Sequence, residues 1–375
     1  MERWQSIWEN QVEYNLSESG VHPLKLSELL ESDDEEFLGQ HLSYIQTNGT
    51  EELRETISTL YAGARSEDVL VTNGSSEANF AALWYFLERG TEIAVMLPNY
   101  MQIWGLVKTF RATLRPFWLR ESKDRWVPDI DGLKKSATKR TKLIAVCNPN
   151  NPTGATLTDK EVDEICGIAK KIGAWILSDE VYHGAELQGQ PTPTFWDRYD
   201  KVIVTNGLSK AYGLPGLRVG WAVAKKDLAS KLWAYHDYTT ICPSTLSDYL
   251  ARRVLQPDMR TKILERTRKI LRTNLPILAG WVDLHHDVFS FVPPKAGAIA
   301  LLKYGFGIRS EKFAEHLVRD KSTLVVPGDY FGMGRYIRVG YGCPQDYLTA
   351  GLNRISEWLR DHIKWIHSTS TGCSS

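Results

Sequence analysis

The 375-residue chain has no excess charge of either sign, since 45 Lys and Arg stand against 45 Asp and Glu. A neutral chain creates no field that steers it toward nucleic acid or an anionic membrane, so neither partner is expected and any bound phosphate must be held locally. Cysteine is scarce. Cys147, Cys166, Cys242, Cys343 and Cys373 are odd in number, scattered and without a C-x-x-C pair, which argues against a disulfide framework and predicts no metal site. No apolar run approaches the roughly 18 residues of a membrane span. Met1-Glu2-Arg3-Trp4 opens no signal-peptide pattern, so a cytoplasmic protein is expected.

With 43% hydrophobic and 24% charged residues, the composition is that of a globular chain, long enough for two domains. From about residue 68 to 224, short apolar runs alternate with helical patterns. The candidate strands are Val69–Thr72, Ile93–Leu97, Leu114–Trp118, Leu143–Cys147, Trp175–Ser178, Val202–Thr205 and Val219–Val223. Such alternation predicts an α/β fold with a mostly parallel seven-stranded sheet covered on both faces. Ser75–Arg89 and Asp159–Ile172 read as helices, the second capped by Thr158.

A long helical stretch, roughly Leu228–Leu284, leads into a smaller α+β unit with candidate strands Phe289–Val292, Ala298–Leu302, Leu324–Val326 and Tyr336–Val339. The expected organisation is an N-terminal segment 1–44 packing with the small domain, a large domain 45–280 and a small C-terminal domain 281–375. The acidic run Glu31–Glu36 is expected to be a solvated surface, and the Ser/Thr-rich tail His367–Ser375 to be frayed.

Chemistry concentrates at the carboxyl ends of the candidate strands, where ligands of open α/β sheets bind. After Val202–Thr205 comes a Gly-rich turn holding Lys210, with Arg218 opening the next strand. A guanidinium beside a lysine lowers the amine's pKa and grips phosphate. Asn148-Pro149-Asn150-Asn151-Pro152-Thr153-Gly154 follows another strand, and proline stops its continuation. Ser178-Asp179-Glu180-Val181-Tyr182 puts an acid and a phenol on the same rim, a costly place for Asp179 without a cationic partner. Thr72-Asn73-Gly74-Ser75-Ser76-Glu77 ends the first strand and opens a helix, whose free N–H groups make an anion site. A lysine, an acid for a ring nitrogen and a phosphate cradle together point to pyridoxal 5′-phosphate (PLP).

On these motifs, N-P-x-N-P-T-G, D-E-V-Y and S-K-x-x-G-L-P-G-L-R-x-G in that order, the chain resembles the fold-type-I PLP enzymes of the class I/II aminotransferase family over residues 40–360. The resemblance implies that Lys210 bonds the cofactor covalently and Asp179 faces its pyridine nitrogen. It implies Asn151 and Tyr182 at the ring's 3-oxygen, Tyr100 stacked on the ring, and Gly74, Ser75, Ser76, Ser209 and Arg218 around the phosphate. It further implies a homodimer in which Tyr44 reaches the other subunit's phosphate, and Arg338 on the substrate carboxylate. Gly207 departs from the pattern, standing where many members carry a Ser or Thr phosphate ligand.

Within the family, Ser17-Glu18-Ser19-Gly20-Val21-His22 and the segment around Lys210 are similar to capreomycidine synthases and to the enduracididine-forming arginine cyclases of guanitoxin biosynthesis. That likeness implies a cyclase acting on a hydroxylated arginine, with Gly20, Glu18 and His22 near the substrate. Capreomycidine synthase lacks the tyrosine of D-E-V-Y whereas Tyr182 is present here, which keeps transamination of a basic or aromatic amino acid open. Trp4, Trp8 and Trp104 are further candidates for the pocket wall.

Overall fold

The computed structural model describes residues 1–30, 33–188 and 190–362; the tail at 367–375 and Glu31 lie outside these. The N-terminal strand is β1 (Tyr14–Asn15). The strands β2 (Val69–Thr72), β3 (Glu92–Leu97), β4 (Thr113–Glu121), β5 (Trp126–Pro128), β6 (Thr141–Cys147), β7 (Trp175–Asp179), β8 (Val202–Gly207) and β9 (Gly220–Val223) follow. These eight form one sheet in the order β2-β9-β8-β7-β6-β3-β4-β5. Pairing is parallel from β4 through β3, β6 and β7 to β8, and β9 runs antiparallel to both β2 and β8.

The seven expected strands are all present, and the count is corrected to eight because the three-residue β5 adds antiparallel to the edge strand β4. Its proline sits where an edge tolerates a missing donor.

The central strands are continuous apolar runs because both sheet faces are covered. Side chains alternate between faces: Ile144 and Val146 join one core cluster with Val162 and Ile165, while Leu143 and Ala145 join another with Ala78, Ala82 and Leu83. The helix Ser75–Phe86 lies on one face and Asp159–Ile172 on the other. The second starts at Thr158 through a capping box, Thr158 and Glu161 satisfying each other's backbone N–H.

The expected helical stretch 228–284 is three helices, Lys226–His236, Thr245–Val254 and Pro257–Leu284. Prolines explain the breaks: Pro243 precedes the second helix and Pro257 starts the third.

The C-terminal sheet contains β10 (Phe289–Phe291), β11 (Ile299–Tyr304), β13 (Val326–Pro327) and β14 (Tyr336–Gly340), all antiparallel, and β12 (Thr323–Leu324) pairs in parallel with β1. Trp4 Nε1 donates to the Val325 carbonyl at 3.0 Å, and the Gly340 N–H to that of Leu16 at 2.7 Å. These bonds bring the first residues across the chain to the sheet edge.

In the acidic run, Asp34 departs from the solvated reading. It caps the helix Glu35–Leu38 at the Phe37 N–H, 2.8 Å away, and pairs with Arg253. Among the described residues no helix is long and apolar enough to cross a membrane.

Candidate active site

The carboxyl ends of β3, β6, β7 and β8 surround a cavity of about 270 Å³. Each strand stops where its motif begins, so the turns carry polar side chains to one rim. Tyr100, Asn151, Asp179, Tyr182, Ser75, Ser76, Ser209, Lys210, Arg218 and Arg338 all line it. The sequence-predicted groups thus converge from strands far apart in the chain.

Asp179 ends β7 and is buried. Asn79 Nδ2 donates to Oδ2 at 2.9 Å and the Val181 N–H to Oδ1 at 3.2 Å. Burial outweighs these bonds and raises its pKa. A buried carboxylate held this way is completed by a cation on its open side. Asn79 is itself oriented by Thr205 Oγ1, which donates to its Oδ1 at 2.7 Å.

The cradle is built by close backbone approach. Gly74, at φ +90, precedes the helix Ser75–Phe86, and a Cβ there would lie 2.4 Å from Arg218 Nη2. A Cβ on Gly220 would lie 2.2 Å from the Ser75 N–H nitrogen. Gly207 fits the same crowding: its Cβ would meet the Val219 carbonyl at 2.8 Å. The departure from the Ser/Thr pattern therefore has a steric reason. Arg218 Nη1 donates to the Pro215 carbonyl at 3.1 Å and to Ser209 Oγ at 3.3 Å. A helix N-terminus, three hydroxyls and a guanidinium could together hold a dianionic phosphate.

Lys210 Nζ donates to Glu18 Oε1 at 2.9 Å. The same oxygen accepts the Ser19 and Gly20 N–H groups at 2.8 and 3.0 Å. Burial would raise the Glu18 pKa, but Lys210 and the two amides outweigh it and hold it at about 2. Arg338, 1% exposed, donates from Nη1 to Asn151 Oδ1 at 2.9 Å and from Nη2 to the Ser17 carbonyl at 2.6 Å. Its buried Nε has no partner among the described residues, a donor left for a ligand carboxylate. Burial pushes the phenols of Tyr100 and Tyr182 upward, Tyr100 to about 12.

Two placements differ from expectation, those of Gly20 with His22 and of the tryptophans. Gly20 and His22 line an adjoining cavity of about 290 Å³ that shares Glu18, Ser209 and Pro215 with the first. There His22 Nδ1 lies 3.2 Å from the Gly342 carbonyl. Tyr44, expected to serve another subunit, is 78% exposed and lies outside both cavities of its own chain. The tryptophans do not wall the main cavity; its N-terminal wall is instead Met1, Glu2, Gln5, Ser6 and Glu9. Trp4 points at the C-terminal sheet, and Trp104 packs against the core cluster containing Ala78 and Leu83.

Sequence reasoning did not place the N-terminal helix Glu2–Trp8 at the rim, because contacts distant in the chain set its position: the β1–β12 pairing, the Trp4 bond to the Val325 carbonyl and the Gly340 bond to Leu16. It also missed Asn79. The available signal was a lone amide inside Ala78-Asn79-Phe80-Ala81-Ala82, on a helix face turned toward the sheet.

The cavity fits PLP on its own chemistry, with a buried acid that has no cationic partner among the described residues, a steric cradle and a lysine in one lining. Fold and site together define a fold-type-I PLP enzyme. The family model for aminotransferase class I and II matches residues 26–355, and the chain belongs to that family. Capreomycidine synthase of Streptomyces vinaceus is 30% identical over 359 residues, spanning 94% of this chain and 92% of that enzyme. An aspartate aminotransferase of Pyrococcus horikoshii is 28% identical over 324 residues, 84% and 83% of the two chains. Among solved structures, a PLP-dependent aminotransferase from Streptococcus suis superposes with a TM-score of 0.89 at 33% identity, covering 96% of each chain. The PLP-dependent cyclase OrfR superposes at 0.85 with 28% identity and the same coverage.

Proposed function

We propose that this enzyme converts a hydroxylated arginine, such as 4-hydroxyarginine, to a cyclic guanidino amino acid of the enduracididine or capreomycidine type, in specialised metabolism. The observation that carries the reading is the Lys210–Glu18 contact of 2.9 Å inside a cavity that also holds Arg338. A carboxylate at the reacting lysine suits a cationic side chain, and Glu2 and Glu9 add two more carboxylates to the lining. The likeness to capreomycidine synthase and to a PLP-dependent cyclase supports the same choice.

Bound PLP supplies the electron sink that acidifies the substrate Cα–H and then Cβ–H. Asp179 holds the pyridine nitrogen in its cationic form, and Asn79 keeps that carboxylate aimed. Gly74, Ser75, Ser76, Ser209 and Arg218 would hold the phosphate, Tyr100 would pack on the ring, and Asn151 and Tyr182 would bind its 3-oxygen. Arg338, with Asn151 beside it, takes the substrate carboxylate. Lys210 Nζ is the base that accepts the Cα proton and returns it. Glu18 Oε2 accepts no hydrogen bond from the described residues, and it receives the guanidinium. Over the reaction the Cγ–O bond is replaced by a bond from a guanidine nitrogen to Cγ. That nitrogen's proton leaves with the hydroxyl as water, and the Cα and Cβ protons are restored.

The protein acts as a homodimer in this reading, Tyr44 reaching the partner's phosphate; exposed Leu38 and Leu42 near Tyr44 suit such an interface. The second reading is an aminotransferase of a basic or aromatic amino acid, favoured by Tyr182 and by relatives such as that of P. horikoshii. A panel of arginine derivatives, aromatic and acidic amino acids, assayed with and without an oxo acid, separates the two. Turnover of hydroxyarginine alone supports the cyclase; turnover that requires the oxo acid sinks it.

A further inference from the structure

Glu77, one residue past the phosphate cradle, carries a charge of the same sign as phosphate. Its Oε2 accepts the Asn73 N–H at 2.6 Å, which ties the carboxylate to the cradle's backbone. On its other oxygen, Oε1 accepts from Thr240 Oγ1 at 2.7 Å and from Thr239 Oγ1, and lies 3.0 Å from His236 Nδ1. Donors surrounding the carboxylate, His236 among them, overcome burial and hold its pKa at about 2.

His236 is fully buried. Its second nitrogen, Nε2, lies 2.9 Å from the carbonyl oxygen of Thr47. A carbonyl and a carboxylate are both acceptors, so the ring satisfies both only with a proton on each nitrogen, as imidazolium. Thr47 also takes a 2.6 Å bond from Trp233 Nε1 and lies three residues from Tyr44. The cradle is tied to this region a second time, through Asn73 Nδ2 donating to Thr240 Oγ1 at 2.7 Å and to the Cys242 carbonyl at 3.1 Å.

We propose that His236 is a positioning residue for the cofactor's phosphate, cancelling the Glu77 charge that shapes the cradle and locking the cradle to the segment that carries Tyr44. Glu77 is needed to hold the Asn73–Ser76 backbone in its turn, yet uncompensated it repels the anion that turn binds. The buried imidazolium removes the repulsion and leaves the geometry intact. The role concerns binding and is the same for either reaction. It rests on the assignment of the Gly74–Ser76 turn as the phosphate seat.

The test is titration of the full-length, cofactor-stripped protein with PLP and with pyridoxal, which lacks the phosphate, following absorbance. His236→Gln is expected to weaken PLP binding on the order of tenfold, the scale of one unscreened charge near a ligand anion, and to change pyridoxal binding little. Glu77→Gln added to His236→Gln is expected to recover most of the lost affinity, an outcome that a packing defect would not give. Equal losses for PLP and pyridoxal, or no recovery in the double variant, overturn the proposal. Should His236→Gln fail to fold, Glu77→Gln alone decides: PLP bound at least as tightly as by the parent supports the role, and a tenfold loss refutes it. A parent protein that binds PLP no better than pyridoxal overturns the phosphate seat itself, and this proposal with it.

Discussion

Asp179→Asn is expected to make the cofactor-free protein more stable near pH 8 while ending its use of the cofactor. Asp179 is 3% exposed and receives two hydrogen bonds, at 2.9 and 3.2 Å. They leave burial dominant, and the folded-state pKa is raised above the ordinary carboxylate value. The folded chain therefore binds this proton more tightly than the unfolded chain does. Parent stability must fall as pH rises from about 3.9 toward the raised folded value and then stay low. Asn does not titrate, and its single carbonyl oxygen still accepts from one of the two donors, Asn79 Nδ2 or the Val181 N–H, its NH2 standing where the protonated parent carries its hydroxyl. The stability difference should be near zero around pH 4 and grow to roughly 1–3 kcal/mol by pH 8, the usual cost of an under-compensated buried polar group. Thermal unfolding of cofactor-free parent and variant by circular dichroism across this range measures it. With PLP added the order should reverse, because the parent alone gains the pyridinium pair and its binding stabilisation. A difference that does not change with pH, or a variant less stable at pH 8, would mean that burial does not raise the Asp179 pKa in the folded chain.

Gly220→Ala places a methyl 2.2 Å from the Ser75 nitrogen and 2.3 Å from the Gly74 carbonyl carbon. Both are backbone atoms, so a loss of about 1–3 kcal/mol in unfolding free energy is expected together with weaker PLP binding; unchanged affinity would mean the cradle is not the phosphate seat. Glu18→Gln should raise the KM for a guanidino substrate about tenfold, or ~1.4 kcal/mol, and leave a substrate with a neutral side chain nearly unaffected. With a folded pKa of about 2, Glu18 contributes above the ordinary carboxylate range and is lost as pH falls through that low value, so the KM effect should be constant at neutral and alkaline pH.

Most of the large sheet was readable because its buried strands are short β-branched runs such as Val202–Thr205, and each ends at a motif whose proline, glycine or polar side chains cannot continue it. The eighth strand was not readable: Trp126–Pro128 is three residues long, and its pairing with β4 sets it more than its composition does. The Gly74–Ser76 turn, Asn151, Asp179, Tyr182, Lys210 and Arg218 were legible because a single ligand needs that set of groups, and Tyr100 and Arg338 were legible only through the family's motifs. Asn79 was hidden inside an apolar helix. Glu2 and Glu9 were hidden because the helix Glu2–Trp8 carries no sign of what it will cover; the pairing of Tyr14–Asn15 with Thr323–Leu324 and the Trp4 bond to the Val325 carbonyl decide that. Glu77 and His236 stand 159 positions apart, and neither lies in a motif that would have drawn attention to the other.

The proposed reaction is a net cyclisation without loss of the amine. Purified enzyme incubated with 4-hydroxyarginine labelled with ¹⁵N at the α-amino group, in the absence of any oxo acid, tests it by mass spectrometry. Many turnovers to a product lighter by one water that retains the label are expected, and none with Lys210→Ala. Release of an unlabelled oxo acid in an amount stoichiometric with enzyme, the label passing to the cofactor, would contradict it.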